Sequence, residues 1–273
     1  MKMRILPVVI LAITPVTAWA GNLDVPPTEA APVMMAQAAP SPDLIFTLRG
    51  GIASTPDYFG SDEYTVGPDF AFRLNYLRLP GGRDFGTPNL AEPTYGVGLR
   101  GSFRYISERS SDDNSELSGL DDVDTSVELG LGIGYSSYIF DAFADLRYGV
   151  IGHDAFVGEV GADLKVHPTE NLTLAVGPRL FLGSDDYAST YFGVSDDEAV
   201  ASQFDAYDAN GGLLSAGMEI GARYEINQNW GIEGAVTWDR FTGDAENSPI
   251  VENGDRDQYG LRVGVTRLIT LDF

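Results

Sequence analysis

From about residue 43 onward the chain runs in stretches of roughly ten residues in which apolar and polar side chains strictly alternate. A period of two marks extended strands with two unlike faces, because successive side chains leave a strand on opposite sides. In 95–105, Tyr95, Val97, Leu99, Phe103 and Tyr105 share one face, and Gly96, Gly98, Arg100, Ser102 and Arg104 take the other. In 127–135, Val127, Leu129, Leu131, Ile133 and Tyr135 oppose Glu128, Gly130, Gly132 and Gly134. The pattern returns from Phe140, Phe156, Leu172, Leu214 and Trp230, and last over Tyr259 to Phe273, where only Arg267 interrupts the apolar face.

A soluble sandwich also alternates, so three further features are needed. The polar faces hold glycine and single charges of both signs, while the apolar faces are nearly free of charge, as suits an outer wall in lipid and a polar interior. Aromatic residues cluster at the strand ends: Tyr135, Phe140, Tyr224 and Trp230 at one level, Tyr105, Tyr148, Trp238 and Tyr259 at the other. Connections alternate between tight turns (near Ser136-Ser137, 167–171 and 227–229) and the long acidic stretches 107–124, 184–210 and 242–257. Short periplasmic turns and long external loops are the habit of outer-membrane barrels.

The N-terminus supports export. Lys2 and Arg4 precede the apolar stretch Ile5 to Ile13, and Ala18-Trp19-Ala20 offers a small-x-small cleavage site, so 1–20 reads as a cleaved signal peptide. Residues 21–42, rich in Ala and Pro, read as a flexible linker, and 43–273 as the barrel. No later stretch is apolar enough for a spanning helix, so a membrane-spanning fold of this chain must be a closed barrel. The chain has no cysteine, which excludes disulfides, thiolate metal sites and an acylated N-terminal cysteine. A net charge of -23 argues against a nucleic-acid partner. The fold expected is therefore all-β, an antiparallel transmembrane up-and-down barrel. Ten strands start near 44, 68, 94, 124, 139, 155, 171, 212, 229 and 257. Reading 80–93 as a weak hairpin gives twelve, the favoured number; reading it as a long turn gives ten.

Phe273 ends the chain in phase with the apolar face, as an insertion signal read by the barrel-insertion machinery would. Several short segments then point to a family: Pro56 to Asp62, Gly119 to Asp124, Gly152-His153-Asp154, Tyr187 with Tyr191 to Val194, Gly243-Asp244-Ala245 with Ser248 to Val251, and Arg256-Asp257-Gln258. In this order they resemble the MltA-interacting protein / OmpV-like outer-membrane proteins, over about 57–273. Ala188, where the family often has Met, and the ending Leu271-Asp272-Phe273, where Tyr-Arg-Phe is more usual, are departures. The resemblance implies a cell outer membrane location among lipid and lipopolysaccharide, and a scaffold joining a murein transglycosylase to a murein synthase.

The residues themselves supply little chemistry. His153-Asp154 lies at the expected external rim near several serines, but no Gly-x-Ser-x-Gly elbow accompanies it, and a His-Asp pair in a tight turn more often caps backbone amides. His167 precedes Pro168 and reads as a turn residue. The loop acids lack the spacing of a calcium loop, which leaves a solvated repulsive surface or bridging to lipopolysaccharide phosphates through divalent ions. No catalytic, metal or cofactor site is assigned. The charges expected inside are Arg100, Arg104, Glu128, Asp141, Asp145, Arg147, Glu159, Asp163, Lys165, Arg179, Glu219, Arg223, Glu233, Asp239 and Arg262. Paired, they make a lattice that closes a narrow lumen; open, with eight acids to seven bases, they make a small cation-favouring pore. Ser195 with Glu198 has capping-box spacing and predicts a short helix inside the longest loop. The expected function is a non-enzymatic outer-membrane barrel, as a scaffold for murein-remodelling enzymes. A narrow channel is the alternative, and a rim enzyme acting on lipid or peptide the third reading.

Overall fold

The computed structural model describes residues 42–81, 83–86 and 95–273. The expected signal peptide, and all but the last residue of the expected linker, lie outside them. Eleven antiparallel strands form one sheet among the described residues: β1 (Leu44–Pro56), β2 (Tyr64–Leu79), β3 (Arg83–Gly86), β4 (Gly96–Ile106), β5 (Ser126–Ser136), β6 (Phe140–Ile151), β7 (Phe156–Thr169), β8 (Leu172–Gly183), β9 (Gly212–Glu225), β10 (Trp230–Phe241) and β11 (Asp257–Leu271). The spatial order is β3-β2-β1-β11-β10-β9-β8-β7-β6-β5-β4, so neighbours in sequence are neighbours in space and the sheet rolls into a nearly closed barrel.

The count differs from the twelve favoured above. The ten long strands stand where the alternation puts them. Among the described residues of 80–93 there is β3, four residues folded back onto β2 from Leu79↔Arg83 to Tyr76↔Gly86. Gly81, at φ 97°, makes that reversal. Spanning hydrocarbon takes about nine to eleven residues of strand, so the four residues of β3 do not by themselves cross the wall.

β1 pairs with β11 from Leu44↔Leu271 to Ser54↔Leu261, which zips the first strand to the last. The sheet's free edges therefore lie elsewhere: β2 and β4 approach one another, yet no ladder joins them among the described residues. The β7–β8 ladder skips between Val166 and Thr169, where Pro168 has no N–H to give. This extends β7 through His167, whose ring stacks on Tyr138 at 4.4 Å.

The outer faces carry exposed Val97, Leu99, Leu131, Ile133, Leu164 and Ile220. Leaving such side chains in water forfeits about 1.5–3 kcal/mol each, so the wall belongs in lipid. Tyr105, Trp238 and Tyr259 ring the wall at the loop end, and Tyr135, Tyr224 and Trp230 at the turn end. Arg267 interrupts the apolar outer phase of β11; its guanidinium lies 4.4 Å from the Trp230 ring centre, a cation–π contact at the interface level. Phe273 lies two residues beyond β11, with its ring exposed and its N–H donated to Asp43 Oδ2 at 2.9 Å.

Candidate functional site: the capped outer mouth

The apolar core of this protein is not in its wall. Most fully buried apolar side chains come from the loops 57–63, 107–125, 184–211 and 242–256, which fold together over one end of the barrel. The centre of this cap is α1 (Asp185–Phe192). Tyr187, Ala188, Tyr191 and Phe192 recur at the spacing of one helical face, and all four are buried. Tyr187 meets Phe181 of the wall at 5.4 Å and the His153 ring at 5.0 Å. Tyr191 meets Phe59 edge-on at 5.0 Å and donates its hydroxyl to Ser126 Oγ at 3.0 Å. Burial pushes both tyrosine hydroxyls above their usual range.

The last carbonyls of α1 have named partners. Arg109 donates to Tyr191 O at 3.2 Å, Ser248 Oγ donates to Phe192 O at 2.7 Å, and the Gly193 N–H returns to Ser189 O. A cation at a helix C-terminus also complements the helix dipole. The expected helix behind Ser195 is α2 (Asp196–Ala201), with both halves of its capping box formed. It packs at the rim, however, and the segment entering the mouth is α1. Two further short helices, α3 (Gly243–Glu246) and α4 (Pro249–Asn253), place Ala245, Ile250 and Val251 in the same core.

Several loop acids serve as acceptors for local amides. Asp122 takes the Ser111 N–H at 2.7 Å, Asp244 both amides of Asn210 at 2.9 Å, Asp185 the Gly211 N–H at 2.8 Å, and Glu198 the Asp121 N–H at 2.9 Å. The amide donors hold the Asp122 and Asp244 carboxyls below their usual range. Tyr58 goes the other way: burial, with the Glu116 carboxylate beside it, raises its hydroxyl.

Beneath the cap the strand charges pair along the inner wall, between neighbouring or next-but-one strands. Arg147 lies 2.8 Å from Glu128 and 2.9 Å from Glu159, and Arg100 3.1 Å from Asp145. Lys165 meets Asp141 at 2.7 Å. Arg179 bridges Asp163 at 2.9 Å and Glu219 at 3.2 Å, and Glu219 also takes Arg262 at 2.7 Å. Arg223 meets Glu233 at 3.0 Å. Arg104 and Asp239 form no ion pair among the described residues; Arg104 lies over the Phe181 and Phe59 rings, at 4.8 and 5.5 Å.

The sequence reading omitted Arg49, Asp69 and Arg73. Arg49 grips Asp69 with two bonds, at 2.8 and 3.1 Å, and reaches Glu233 at 3.5 Å; Arg73 lies 3.8 Å from the same carboxylate. Their signal was present, since Thr47, Arg49, Gly51 and Ala53 alternate with Phe46, Leu48 and Ile52. With these three the two signs balance at nine each.

His153 has a hydrogen bond on one nitrogen and a carboxylate beside the other. Nδ1 accepts the Ala155 N–H at 3.1 Å, and Nε2 stands 3.3 Å from Glu128 Oε1, with neither side chain exposed. The adjacent Asp154 has φ 50°, so Gly152 to Ala155 make a tight reversal that the imidazole caps. No serine hydroxyl stands in hydrogen-bond contact with this ring among the described residues.

The sequence profile of MltA-interacting protein MipA matches residues 48–268, nearly the whole described barrel. The chain belongs to the MipA family. Outer membrane protein Omp26La of Vibrio anguillarum is 41% identical over 80 residues, covering 29% of this chain and 30% of that protein. Outer membrane protein OmpV of Vibrio cholerae is 39% identical over 80 residues, with the same shares. The matched stretches thus span under a third of either relative. Among solved structures, an outer-membrane channel from Pseudomonas putida F1 aligns with TM-score 0.44 and 14% identity, covering 85% of this chain and 97% of that one. The NanC porin aligns with TM-score 0.37 and 10% identity over 81% and 98%. This MipA-family chain is an outer-membrane β-barrel.

The segments that carried the family resemblance meet in one place. Phe59 packs on Tyr191 and Phe192, Leu120 joins Val194 and Ile250, and Ser248 holds α1. Gln258 accepts the Gly60 N–H and donates to Ser61 O. What marks this MipA-family barrel in sequence is its cap.

Proposed function

We propose that this chain works as a closed, non-enzymatic barrel of the outer membrane, anchored by its wall and sealed at its outer mouth. The observation that carries the reading is the seating of α1, with Tyr187, Tyr191 and Phe192 buried and its terminal carbonyls bonded to Arg109 and Ser248. The paired charges below it add a second obstruction, because ionised groups in a narrow lumen persist when matched and hydrogen-bonded. Planar-bilayer recording tests this. The refolded chain is expected to give no steps, and a variant lacking 185–192 to give them; open steps from the unaltered chain would overturn the closed reading.

A murein transglycosylase is the partner that the family's name points to. On the turn side the described residues offer only 137–139, 170–171, 226–229 and the β2–β3 hairpin. We infer that any such contact runs through that hairpin and residues 21–42. Pull-down of a purified murein transglycosylase, lost on deletion of 21–42 or 80–86, is the supporting result, and undiminished capture by both deletions opposes it.

A second reading, a gated narrow channel, draws on the partly exposed charges beneath the cap, such as Arg73 and Arg100. Its ion preference would come from the acidic rim, because inside the lumen the signs balance.

A further inference from the structure

Two interior charges of opposite sign stand unmatched under the same roof. Arg104, at the loop end of β4, and Asp239, at the loop end of β10, both lie in the inner phase of their strands. Among the described residues neither side chain makes a hydrogen bond or an ion pair. Every other charge expected inside has an ion-pair partner. In the strand order β4 and β10 fall on nearly opposite walls, yet the two charges lie within electrostatic range of each other. Ionised groups away from bulk water persist when matched, so this pair lacks something between them.

The neighbours do not supply it. Glu128 and Glu159, the carboxylates that face Arg104, are both held by Arg147. Glu219 and Arg179, which face Asp239, hold each other. The Arg104 guanidinium rests on the Phe181 and Phe59 rings at 4.8 and 5.5 Å, which leaves its N–H groups without an acceptor. Tyr187 of α1 lies above, fully buried, and its hydroxyl has no hydrogen-bond partner. That hydroxyl senses Arg104, Glu128 and Arg147, so it looks down onto the strand charges. Arg104 and Asp239 each keep partial exposure inside the barrel, so solvent-sized room adjoins both. A simple anion would answer Arg104 and leave Asp239 unmatched, and a simple cation would do the reverse.

We propose that the space beneath α1 binds a small zwitterion, its carboxylate on Arg104 under the Tyr187 hydroxyl and its ammonium against Asp239. A guanidinium offers a carboxylate two parallel N–H bonds, and a phenol hydroxyl donates one more. Binding stands apart from sealing: open steps in bilayer recordings would leave it untouched.

The test is equilibrium dialysis of the full refolded barrel, in neutral maltoside micelles, against tritiated glycine, γ-aminobutyrate and ε-aminocaproate. Each solute is present during refolding as well as after it, so that the cap does not limit entry. These probes differ in the separation of their two charges, and saturable retention of at least one is expected. Neither butyrate nor butylamine should displace it. Arg104→Gln and Asp239→Asn should each weaken retention about tenfold or more. Tyr187→Phe, which keeps the ring and loses the hydroxyl, should weaken it severalfold. Asp239→Asn and Tyr187→Phe preserve side-chain shape and decide the matter if Arg104→Gln fails to fold. Retention of none of the probes, as when water alone bridges the two charges, would overturn the proposal. So would unchanged retention in a folded variant, or displacement by butyrate or butylamine as effective as by the unlabelled zwitterion.

Discussion

Arg147 Nε stands 2.8 Å from Glu128 Oε2, with 3% of the arginine side chain exposed and none of the glutamate. This is the most secluded ion pair among those described, and Glu128 also faces the His153 imidazole. Removing the arginine strands a charge in a dry place. Arg147→Ala is expected to lower unfolding stability by about 3–5 kcal/mol. Lys165→Ala, whose partner Asp141 is more than a third exposed, should cost under about 1 kcal/mol. Urea titration in lipid vesicles compares the two, and equal losses would contradict the burial argument.

Tyr187→Ala with Tyr191→Ala should release the cap while leaving the wall intact. Truncating large buried aromatics costs about 3 kcal/mol or more apiece, and the strand ladders do not depend on these rings. Proteinase K should then cut within 184–211, while the barrel keeps its slower migration on heating. Tyr191→Phe loses only the bond to Ser126, about 1 kcal/mol, and should keep the loop resistant.

The rim has a pH limit set by Glu198. Burial opposes its ionised form, but the Ser195 and Asp121 amides outweigh it, and its carboxyl ends below its usual range. A depressed folded value means the contribution is complete above the unfolded value, about 4.3, and is lost as pH falls through the folded one. The protection factors of the Ser195 and Asp121 amides, corrected for intrinsic exchange, should therefore be high at neutral pH and fall in acid below that window. Glu198→Ala should show fast exchange throughout, at a cost near 1 kcal/mol.

Nδ1 of His153 accepts the Ala155 N–H, which leaves the proton of the neutral ring on Nε2 facing Glu128, so the ring is expected to be a poor general base. A serine-directed fluorophosphonate is expected to leave the refolded barrel unlabelled, with or without His153→Ala. Labelling that vanishes in the variant would reinstate a rim enzyme.

The wall was legible because a strand facing lipid on one side and a lumen on the other must alternate, and the runs at Tyr95, Val127 and Phe140 do so without interruption. Where the backbone departs from that rule, legibility fell. The β2–β3 hairpin has only four paired positions and no periodicity to read. The cap was seen only in fragments. α2 announced itself through Ser195 and Glu198, a local device. α1 has eight residues, two of them threonine and serine, and its meaning lies in contacts with Phe59, Phe181 and Phe241 that come from distant strands and loops. The pairing of Tyr187 with Tyr191 and of Ala188 with Phe192 at four-residue spacing was the available hint. The interior charges could be placed by phase, but which acid meets which base depends on register across the barrel.

The ladder between Leu44 and Leu271 also governs how the molecule can be made. β1 has its hydrogen-bonding partner in β11, which is made much later, so the cylinder cannot be joined until both have been made. Its lipid-seeking side chains must be shielded until then, and assembly becomes a late event in which β1 and β11 have to be present together.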